Sequence, residues 1–291
     1  MRKAYIIEWN GRRLDLGRRT CIMGIVNVTP DSFSDGGRFL DTDAAVAQGL
    51  RLVAEGADIL DIGGESTRPF SDPVSPETEA ARVVPVIKAL AARVDVPISI
   101  DTMKADVAEK ALAAGASLVN DVSALRFDPR TAEVAAAAGV PVILMHMLGT
   151  PKTMQKDPRY EDLHAEVAAF LAESMDKAQA AGIQRDRLIL DPGIGFGKTV
   201  AHNLSLNRYL DRIAALDAPL LIGPSRKAFI RTLLSENASA PLAPDAPQVA
   251  IGTQAAVTTA ILAGAHIVRV HDVAATRATA CIADALAAAH P

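Results

Sequence analysis

The chain alternates short apolar runs with longer amphipathic segments from about residue 21 to its end. The apolar runs are rich in β-branched side chains and do not alternate with polar ones, which is typical of strands buried on both faces. The segments between them place apolar residues at helical spacing, and several end at a glycine. Because strands and helices alternate, the pattern favours a parallel sheet whose strands are connected by helices.

Eight such strand and helix units are present, and they favour a closed (β/α)8 barrel in a single domain. A doubly wound open sheet is the alternative, but it usually has fewer strands and one ligand crevice. The predicted strands cover residues 21–28, 59–62, 97–100, 118–120, 141–145, 188–190, 219–222 and 267–270. The predicted helices, one for each strand, cover residues 42–55, 76–93, 104–114, 130–138, 160–181, 201–215, 248–263 and 274–289.

Residues 1–20 precede the first unit, and we expect them to form an N-terminal β-hairpin extension of a barrel that spans residues 21–291. Asn10 and Gly11 separate two apolar stretches, and this dipeptide supplies the positive φ angles of a tight hairpin turn. A second irregular stretch, residues 235–247, is rich in Ala, Pro and Ser. We expect it to be an exposed excursion after the seventh barrel strand rather than a domain boundary.

The composition argues against several classes of protein. Among 291 residues, 30 are basic and 34 acidic, and no block of like charges indicates binding to nucleic acid or to a membrane surface. Cys21 and Cys281 are too few for a disulfide framework, which favours a reducing compartment. No segment has the length and apolarity of a signal peptide or a membrane span. We therefore expect a cytoplasmic protein.

Hydrogen-bonding side chains lie at the end of every predicted barrel strand. The carboxyl ends of all strands of a parallel barrel meet at one face, where the active sites of such barrels lie. A single Asp or Asn after a strand is more often a cap or a turn residue, so the prediction depends on the whole set. The set consists of Asn27, Asp61, Asp101, Thr102, Asn120, Asp121, His146, Asp191, Ser225, Arg226, Lys227, Arg269, His271 and Asp272.

These residues fall into two chemical groups. Asp101, Asn120 and Asp191 offer oxygen acceptors, which call for a ligand rich in donors. Lys227, Arg269 and His271 follow the last two strands and suit an anion. A flat heterocycle with an amidine-like edge and an attached phosphate or diphosphate fits both groups.

Three glycine-containing loops accompany the predicted site. VTPDSFSDGGRF after the first strand and GGESTRPFSDPVSPE after the second are expected to act as lids, with long surface turns as the alternative. GIGFGK at residues 193–198 follows the sixth strand and has Gly-x-Gly-x-Gly spacing. It therefore fits neither a Rossmann fingerprint nor a P-loop.

Several motifs in order along residues 21–273 resemble those of the dihydropteroate synthase family, whose members are inhibited by sulfonamides. Ile194 departs from the family pattern, where Phe is common, and this difference affects loop packing more plausibly than chemistry. The motifs are GIVNVTPDSFSDGG from residue 24, DIGGESTRP from 61, SIDT from 99, NDVSA from 120, MH from 145, DPGIGFGK from 191, SRK from 225 and RVHDV from 269.

The resemblance implies a (β/α)8 barrel and a transferase of folate biosynthesis. The implied reaction joins 6-hydroxymethyl-7,8-dihydropterin diphosphate to p-aminobenzoate, and gives 7,8-dihydropteroate and diphosphate with Mg2+ as the cofactor. The family is usually homodimeric through helices of the C-terminal half, so a homodimer is expected. A dissociative displacement at the exocyclic methylene of the pterin needs no covalent nucleophile.

The resemblance also implies a role for individual residues, with Asp191 facing the N3–H and 2-amino groups of the pterin. The implied pterin-binding residues are Asp101, Asn120, Met145, Asp191 and Lys227. Those implied for the diphosphate are Asn27, Thr67, Arg269 and His271, with Asn27 also a ligand of Mg2+. Those implied for p-aminobenzoate are Phe33, Thr67, Arg68, Pro69, Phe196, Ser225 and Lys227, and those implied for catalysis are Asp101, Lys227, Arg269 and His271.

Two other functions remain open at this point. A methyltransferase domain of the methyltetrahydrofolate–corrinoid type also places Asp and Asn around a pterin, but it gives no reason for Arg269, His271 and the two signature loops. A non-catalytic barrel that only binds pterins is the second alternative. Release of diphosphate from the pterin substrate distinguishes the synthase from both.

Overall fold

The computed structural model describes residues 2–29, 38–67, 71–235 and 240–289, and these ranges contain ten strands and nine α-helices. Two 3-10 helices lie at Arg185–Arg187 and Leu210–Leu216. The strands are β1 Tyr5–Trp9, β2 Arg12–Leu16, β3 Cys21–Asn27, β4 Ile59–Gly63, β5 Ile98–Asp101, β6 Leu118–Asp121, β7 Val142–Met145, β8 Leu188–Asp191, β9 Leu221–Ile222 and β10 Ile267–Val270. The α-helices are α1 Arg38–Ala54, α2 Pro76–Ala91, α3 Ala105–Ala113, α4 Arg130–Ala138, α5 Leu163–Ala180, α6 Val200–Arg208, α7 Ala228–Leu233, α8 Pro247–Leu262 and α9 Val273–Ala288.

Strands β3 to β10 form one parallel sheet in the order β8-β7-β6-β5-β4-β3-β10-β9. A parallel bridge between Leu190 and Leu220 joins β8 to the start of β9 and brings the two ends of the sheet together. The sheet is thus a nearly closed eight-stranded barrel with helices outside, which confirms the predicted (β/α)8 fold. Leu220 forms an isolated bridge outside the strand, and β9, with two residues, is shorter than the predicted strand 219–222.

The helices differ from the prediction in two places. One helix per strand was expected, but α7 is an additional helix between β9 and α8. With six residues it is too short to give a periodic signal. The predicted helix 201–215 is also wrong as one element, because α6 ends at Arg208 and continues as a 3-10 helix from Leu210. The backbone of Tyr209 leaves the helical region there, with φ −114° and ψ 40°.

Strands β1 and β2 form the predicted N-terminal hairpin. Asn10 and Gly11 adopt φ angles of 45° and 74°, as a two-residue turn between right-twisted strands requires. The hairpin lies at the amino-terminal end of the barrel, since the Asn10 amide donates to the carbonyl of Ala138, just before β7, and Arg12 donates to that of Asp95, just before β5.

The barrel strands are buried almost throughout and share one hydrophobic cluster with the inner faces of the helices and of the hairpin. Side chains such as Ile22, Ile100 and Val142 are fully excluded from solvent. This rigid core fixes the ends of the strands in space, and the carboxyl ends carry the polar residues of interest. No helix in the described ranges has the length and apolarity needed to cross a membrane.

Candidate active site

The register of the sheet places several predicted site residues side by side at the carboxyl end of the barrel. Asn27 on β3 pairs with Gly63 on β4, and Gly63 pairs with Asp101 on β5. Asp101 in turn pairs with Asn120 on β6. Asp101 and Asn120, two of the three predicted acceptors, therefore lie in one row of the barrel mouth. Asp191, the third, pairs with Met145 and lies two residues further along its strand than that row.

Arg269 on β10 reaches across this mouth to two carboxylates. Its Nε atom donates to Oδ2 of Asp61 at 2.6 Å, and its Nη2 atom donates to Oδ2 of Asp101 at 2.6 Å. The same Oδ2 of Asp61 accepts a hydrogen bond from the side-chain amide of Asn120 at 3.1 Å. Charge-assisted bonds of this length fix the orientation of all four side chains.

This network corrects one expectation and adds one residue. Asp101 was expected to depend on a ligand for its donor, yet Arg269 already supplies one within the protein. Asp61 has 0% exposure and orients both Arg269 and Asn120, although it was predicted only as one of the strand-end residues and without a role. Its position at the end of the second strand was visible in the sequence, but its partners come from distant segments. Its Oδ1 atom has no hydrogen-bond partner among the described residues.

Burial raises the pKa of Asp101 to about 7, and the nearby carboxylates Asp61, Glu79 and Asp121 act in the same direction. The guanidinium of Arg269 opposes this shift. Two carboxylates face one guanidinium, so the cluster of Asp61, Asp101 and Arg269 carries an excess negative charge when both acids are ionised. A positive charge that develops on a ligand beside Asp101 is stabilised by that excess.

Asp191 ends β8 and is held by the loop that follows it. Its Oδ1 atom accepts from the backbone N–H of Gly193 at 2.7 Å. Gly193 has a φ of 72°, and a Cβ atom there would lie 1.9 Å from the carbonyl oxygen of His146. Burial raises the pKa of Asp191 to about 6, while the Gly193 bond, Lys227, Lys198 and Arg269 hold it down. At neutral pH Asp191 is therefore a buried carboxylate.

Lys227 lies above the ring of Phe196, with its Nζ atom 3.9 Å from the ring centroid. This cation–π contact brings a residue after β9 against a residue after β8 and so joins two of the loops around the mouth. Burial lowers the pKa of Lys227 to about 8, with Arg269 adding to the decrease, while Asp191 and Asp101 oppose it. Lys227 is thus mostly protonated at neutral pH, and it loses its proton at a pH only slightly higher.

Ser225 and His271 connect the loops after β9 and β10. The Ser225 hydroxyl lies 3.0 Å from Nδ1 of the His271 ring, and the backbone N–H of His271 donates to the same hydroxyl at 3.3 Å. Ser225 was predicted beside p-aminobenzoate and His271 beside the diphosphate. The structure brings these two side chains into direct contact.

A small apolar cluster lines this region separately from the main core. It contains Met145 and Phe196, both predicted site residues, and both are buried. Methionine side chains adapt their shape to flat ligands, so the cluster suits an aromatic ring. Its members are Val122, Met145, Met147, Met154 and Phe196, with Met103 packed against them.

The remaining predicted residues belong to the loops after β3 and β4. Asn27 and Thr67 are half-buried at the ends of these segments. Phe33, Arg68 and Pro69 lie outside the described residues. The described ranges hold no group of three or more His, Cys, Asp or Glu residues that could bind a metal by themselves. Asn27 still suits Mg2+, because this ion usually takes one or two protein oxygens and completes its shell with phosphates and water.

The comparisons with known proteins agree with this geometry. A model of the pterin binding enzyme family matches residues 23–271. Dihydropteroate synthase of Synechocystis is 47% identical over 272 residues, which cover 94% of this chain and 92% of that protein. The Escherichia coli K12 dihydropteroate synthase is 45% identical over 266 residues, 91% of each chain.

Solved structures give the same result. Dihydropteroate synthase of Xanthomonas albilineans with 4-aminobenzoic acid has a TM-score of 0.89 and 46% identity, and the match covers 99% of this chain and 100% of that one. The same protein with 7,8-dihydropteroate has a TM-score of 0.84 and 46% identity, with 96% and 98% covered. The chain belongs to the pterin binding enzyme family. Within this family its activity is that of a dihydropteroate synthase, a transferase of folate biosynthesis.

Proposed function

We propose that the mouth of the barrel binds the pterin on its carboxylate side and the diphosphate on its cationic side during the condensation with p-aminobenzoate. Asp191 accepts from the N3–H and 2-amino groups of the pterin, Lys227 donates to its carbonyl oxygen and N5, and Met145 packs against the ring. Asp101 and Asn120 bind the remaining ring nitrogens and the amino group. The diphosphate side consists of Asn27, Thr67, Arg269 and His271.

The observation that carries this proposal is the shared guanidinium of Arg269. Its Nε and Nη2 atoms bind Asp61 and Asp101. Its Nη1 atom has no partner among the described residues and is available to a phosphate oxygen. One rigid group thus touches both the carboxylate beside the pterin and the diphosphate that leaves it. This arrangement places opposite charges on the two sides of the bond that breaks.

The reaction follows from these charges. The bond between the exocyclic methylene and the diphosphate oxygen breaks first, and its electron pair leaves with the diphosphate. Asp101 stabilises the positive charge that spreads over the pterin, while Arg269 and His271 stabilise the departing anion. The amino nitrogen of p-aminobenzoate then forms the new C–N bond and loses a proton to solvent. All of these groups are in position before the reaction, so little reorganisation is needed.

The slot for p-aminobenzoate is proposed to lie beside Lys227. Phe196 and Ser225 are proposed to form its wall, together with Thr67, which is half-buried in the segment after β4. Phe33, Arg68 and Pro69, which the resemblance also assigns to this slot, lie outside the described residues. The binding of 4-aminobenzoic acid and of 7,8-dihydropteroate by the Xanthomonas albilineans relative supports this assignment.

Mg2+ is proposed as the cofactor, with Asn27 as its protein ligand. When bound, the ion supplies positive charge that offsets the negative charge of the diphosphate. Asn27 orients the diphosphate end of the substrate toward the side of the mouth that carries His271.

A turnover assay tests the proposal. Wild-type protein with pterin diphosphate, p-aminobenzoate and Mg2+ is expected to release one diphosphate for each dihydropteroate formed. Asp191→Asn is expected to lower kcat/KM for the pterin substrate by about 100-fold, because a buried charge-assisted acceptor is worth about 1.5–3 kcal/mol per bond. Asp217→Asn, at an exposed site before β9, serves as the matched control. Unchanged turnover in Asp191→Asn contradicts the assignment.

We further propose that the protein is a homodimer formed through helices of its C-terminal half. Large apolar side chains are exposed on these helices, and the side chain of Ile251 on α8 is 72% exposed. Single exposed leucines are common, but several on adjacent helices favour an interface. The others on α7, α8 and α9 are Leu233, Leu262, Ile282 and Leu286. Analytical ultracentrifugation of wild type and Ile251→Glu tests this, with a dimer expected only for wild type.

A further inference from the structure

A lysine ammonium group lies inside the barrel mouth and has no role in the mechanism above. Lys198 is 3% exposed, and its Nζ atom contacts Nδ1 of His146 at 2.9 Å and the carbonyl oxygen of Phe196 at 2.9 Å. The carbonyl oxygen of His146 lies farther away, at 3.5 Å. Burial lowers the pKa of Lys198 to about 7, with Lys227 adding to the decrease and Asp191 opposing it. Because buried donors are costly unless they are satisfied, these contacts determine where the side chain lies.

His146 supplies the main side-chain acceptor for this ammonium. Burial lowers the pKa of His146 to about 2, and the positive charges of Lys198 and Arg126 add to the decrease. The ring is therefore neutral, and an Nδ1 atom that accepts from Lys198 leaves the ring proton on Nε2. An edge-to-face contact with Phe170, at 4.8 Å between ring centroids, holds the imidazole in place.

The loop of residues 193–198, which ends at Lys198, packs around His146. The backbone of Gly193 lies against the carbonyl of His146, and the backbone N–H of Phe196 donates to the carbonyl of Gly193 at 3.1 Å. The Nζ atom of Lys198 donates to the carbonyl of Phe196 from inside the barrel. On the other side, the hydroxyl of Tyr160 donates to Gly197 at 2.8 Å. The position of the Phe196 backbone is thus held by a hydrogen bond from a buried lysine.

The position of the Phe196 backbone affects the site, because the Phe196 ring lies beneath the ammonium of Lys227. Asp191, by contrast, keeps its bond to Gly193 through a local two-residue turn that does not involve Lys198. Loss of the Lys198 contact therefore affects the two ligand sides unequally. The side chains of Phe196 and Lys227 should lose their positions more than the side chain of Asp191.

We propose that Lys198, with neutral His146 as its acceptor, is a positioning residue that holds Phe196 and Lys227 in place for p-aminobenzoate. This inference rests on the proposed p-aminobenzoate slot. Lys198 does not touch either substrate in this account. Its contact with the slot runs through the Phe196 carbonyl and ring, while its positive charge also helps to hold down the pKa of Asp191.

Four variants test the proposal at pH 7.5, above the pKa of Asp191. Lys198→Met removes the donor and His146→Leu removes the acceptor at similar volume. His146→Asn keeps an acceptor, since its amide oxygen takes a position close to that of Nδ1. The fourth variant combines Lys198→Met with His146→Leu. For each variant, steady-state kinetics give KM for p-aminobenzoate, calorimetry gives Kd for pterin diphosphate, and thermal unfolding shows that the barrel is folded.

We expect Lys198→Met and His146→Leu each to raise KM for p-aminobenzoate about tenfold, as expected for the loss of one buried hydrogen bond. The Kd for pterin diphosphate should change less than about threefold, since its local turn remains. His146→Asn should stay close to wild type, and the double variant should be no worse than either single variant. The comparison of His146→Asn with His146→Leu still tests the proposal if Lys198→Met does not fold.

Three results would overturn it: an unchanged KM for p-aminobenzoate in both single variants, additive effects in the double variant, or parallel losses for both substrates. Parallel losses would indicate a general weakening of the barrel mouth instead of positioning. The wild-type control separates this inference from the proposed function. If wild type itself does not condense the two substrates, the proposed function fails, whatever the variants do.

Discussion

Arg269 and Asp101 form an ion pair across the mouth of the barrel, with 2.6 Å between Nη2 and Oδ2. The pair joins the fifth and the tenth strand, which are separated along the sheet by β3 and β4. Because the same guanidinium also binds Asp61, the position of each charge depends on the other two. The site thus holds a fixed cation and a fixed anion on either side of the place where charge separates.

The first prediction concerns pH. Binding of the pterin requires ionised Asp191 and Asp101, whose pKa values are raised to about 6 and about 7, and protonated Lys227, whose pKa is lowered to about 8. Carboxyls with raised pKa values are protonated at low pH, so kcat/KM for the pterin substrate should rise through pH 6–7. It should fall above about 8 as Lys227 loses its proton, which gives a bell-shaped profile.

Asp101→Asn is the control for this profile. The variant should be slower, and its acid limb should move to about pH 6, where Asp191 alone titrates. Titration of the substrate diphosphate is the same in both proteins and cannot produce this difference. An acid limb at the same pH in wild type and variant would show that Asp101 does not govern the profile.

The second prediction concerns Gly193. Gly193→Ala introduces a methyl group 1.9 Å from the His146 carbonyl, so the turn that binds Asp191 has to open. Pterin affinity should fall at least 100-fold in calorimetry, equivalent to about 3 kcal/mol. Gly11→Ala is a matched control, because Gly11 has nearly the same φ, 74°, and nothing within 4 Å of the new methyl. It should cost only about 1–2 kcal/mol of folding stability, with unchanged affinity.

The third prediction concerns a buried ion cluster below the second signature loop. The Lys104 ammonium binds Glu65, Glu79 at 2.6 Å and the carbonyl of Val74 at 2.7 Å, so it connects both ends of the loop after β4. Glu79 is 1% exposed. Lys104→Met leaves this carboxylate buried and unpaired, and should cost about 3–5 kcal/mol in urea unfolding at pH 7.5.

The loss of folding stability caused by Lys104→Met should be smaller at pH 5. Burial already raises the pKa of Glu79, and removal of Lys104 raises it further. The folded variant then binds a proton that the unfolded chain releases at this pH, so its stability increases as the pH falls. Lys110→Met, at an exposed position on α3, should change stability by less than about 0.5 kcal/mol. Equal effects of the two substitutions would contradict a buried pair.

The fourth prediction concerns cooperation between the two ligand sides. Because Ser225 contacts His271, bound diphosphate should increase the affinity for p-aminobenzoate, and we expect about a tenfold increase in wild type. Ser225→Ala should reduce the increase to about threefold or less. Titrations of p-aminobenzoate with and without diphosphate measure this increase in affinity. Ser174→Ala, a substitution within α5, is the control. Identical wild-type curves under both conditions would refute the coupling.

The sequence predicted the parts of this structure that depend on local patterns. Continuous apolar runs such as residues 141–145 and 188–190 identified the barrel strands, because burial on both faces removes alternation. The turn at Asn10 and Gly11 was equally evident. The short helix α7 and the break at Tyr209 were missed, because six residues give no period and a single backbone angle leaves no signature.

The site was predicted less completely, for a physical reason. The residue types at strand ends indicate which groups meet at the barrel mouth, but they do not indicate which of these groups pair. Arg269 binds Asp61 across 208 positions of the chain, and Lys198 binds His146 across 52. Such pairings depend on the register of the strands and on side-chain directions, which only the folded barrel determines.

A crystal structure with bound 6-hydroxymethyl-7,8-dihydropterin diphosphate would show how the barrel mouth is divided between pterin and diphosphate. We expect the carboxylate of Asp191 within hydrogen-bonding distance of the N3–H and 2-amino groups, and phosphate oxygens beside His271 and Nη1 of Arg269. A pterin ring beside His271, or a diphosphate beside Asp191, would contradict this division.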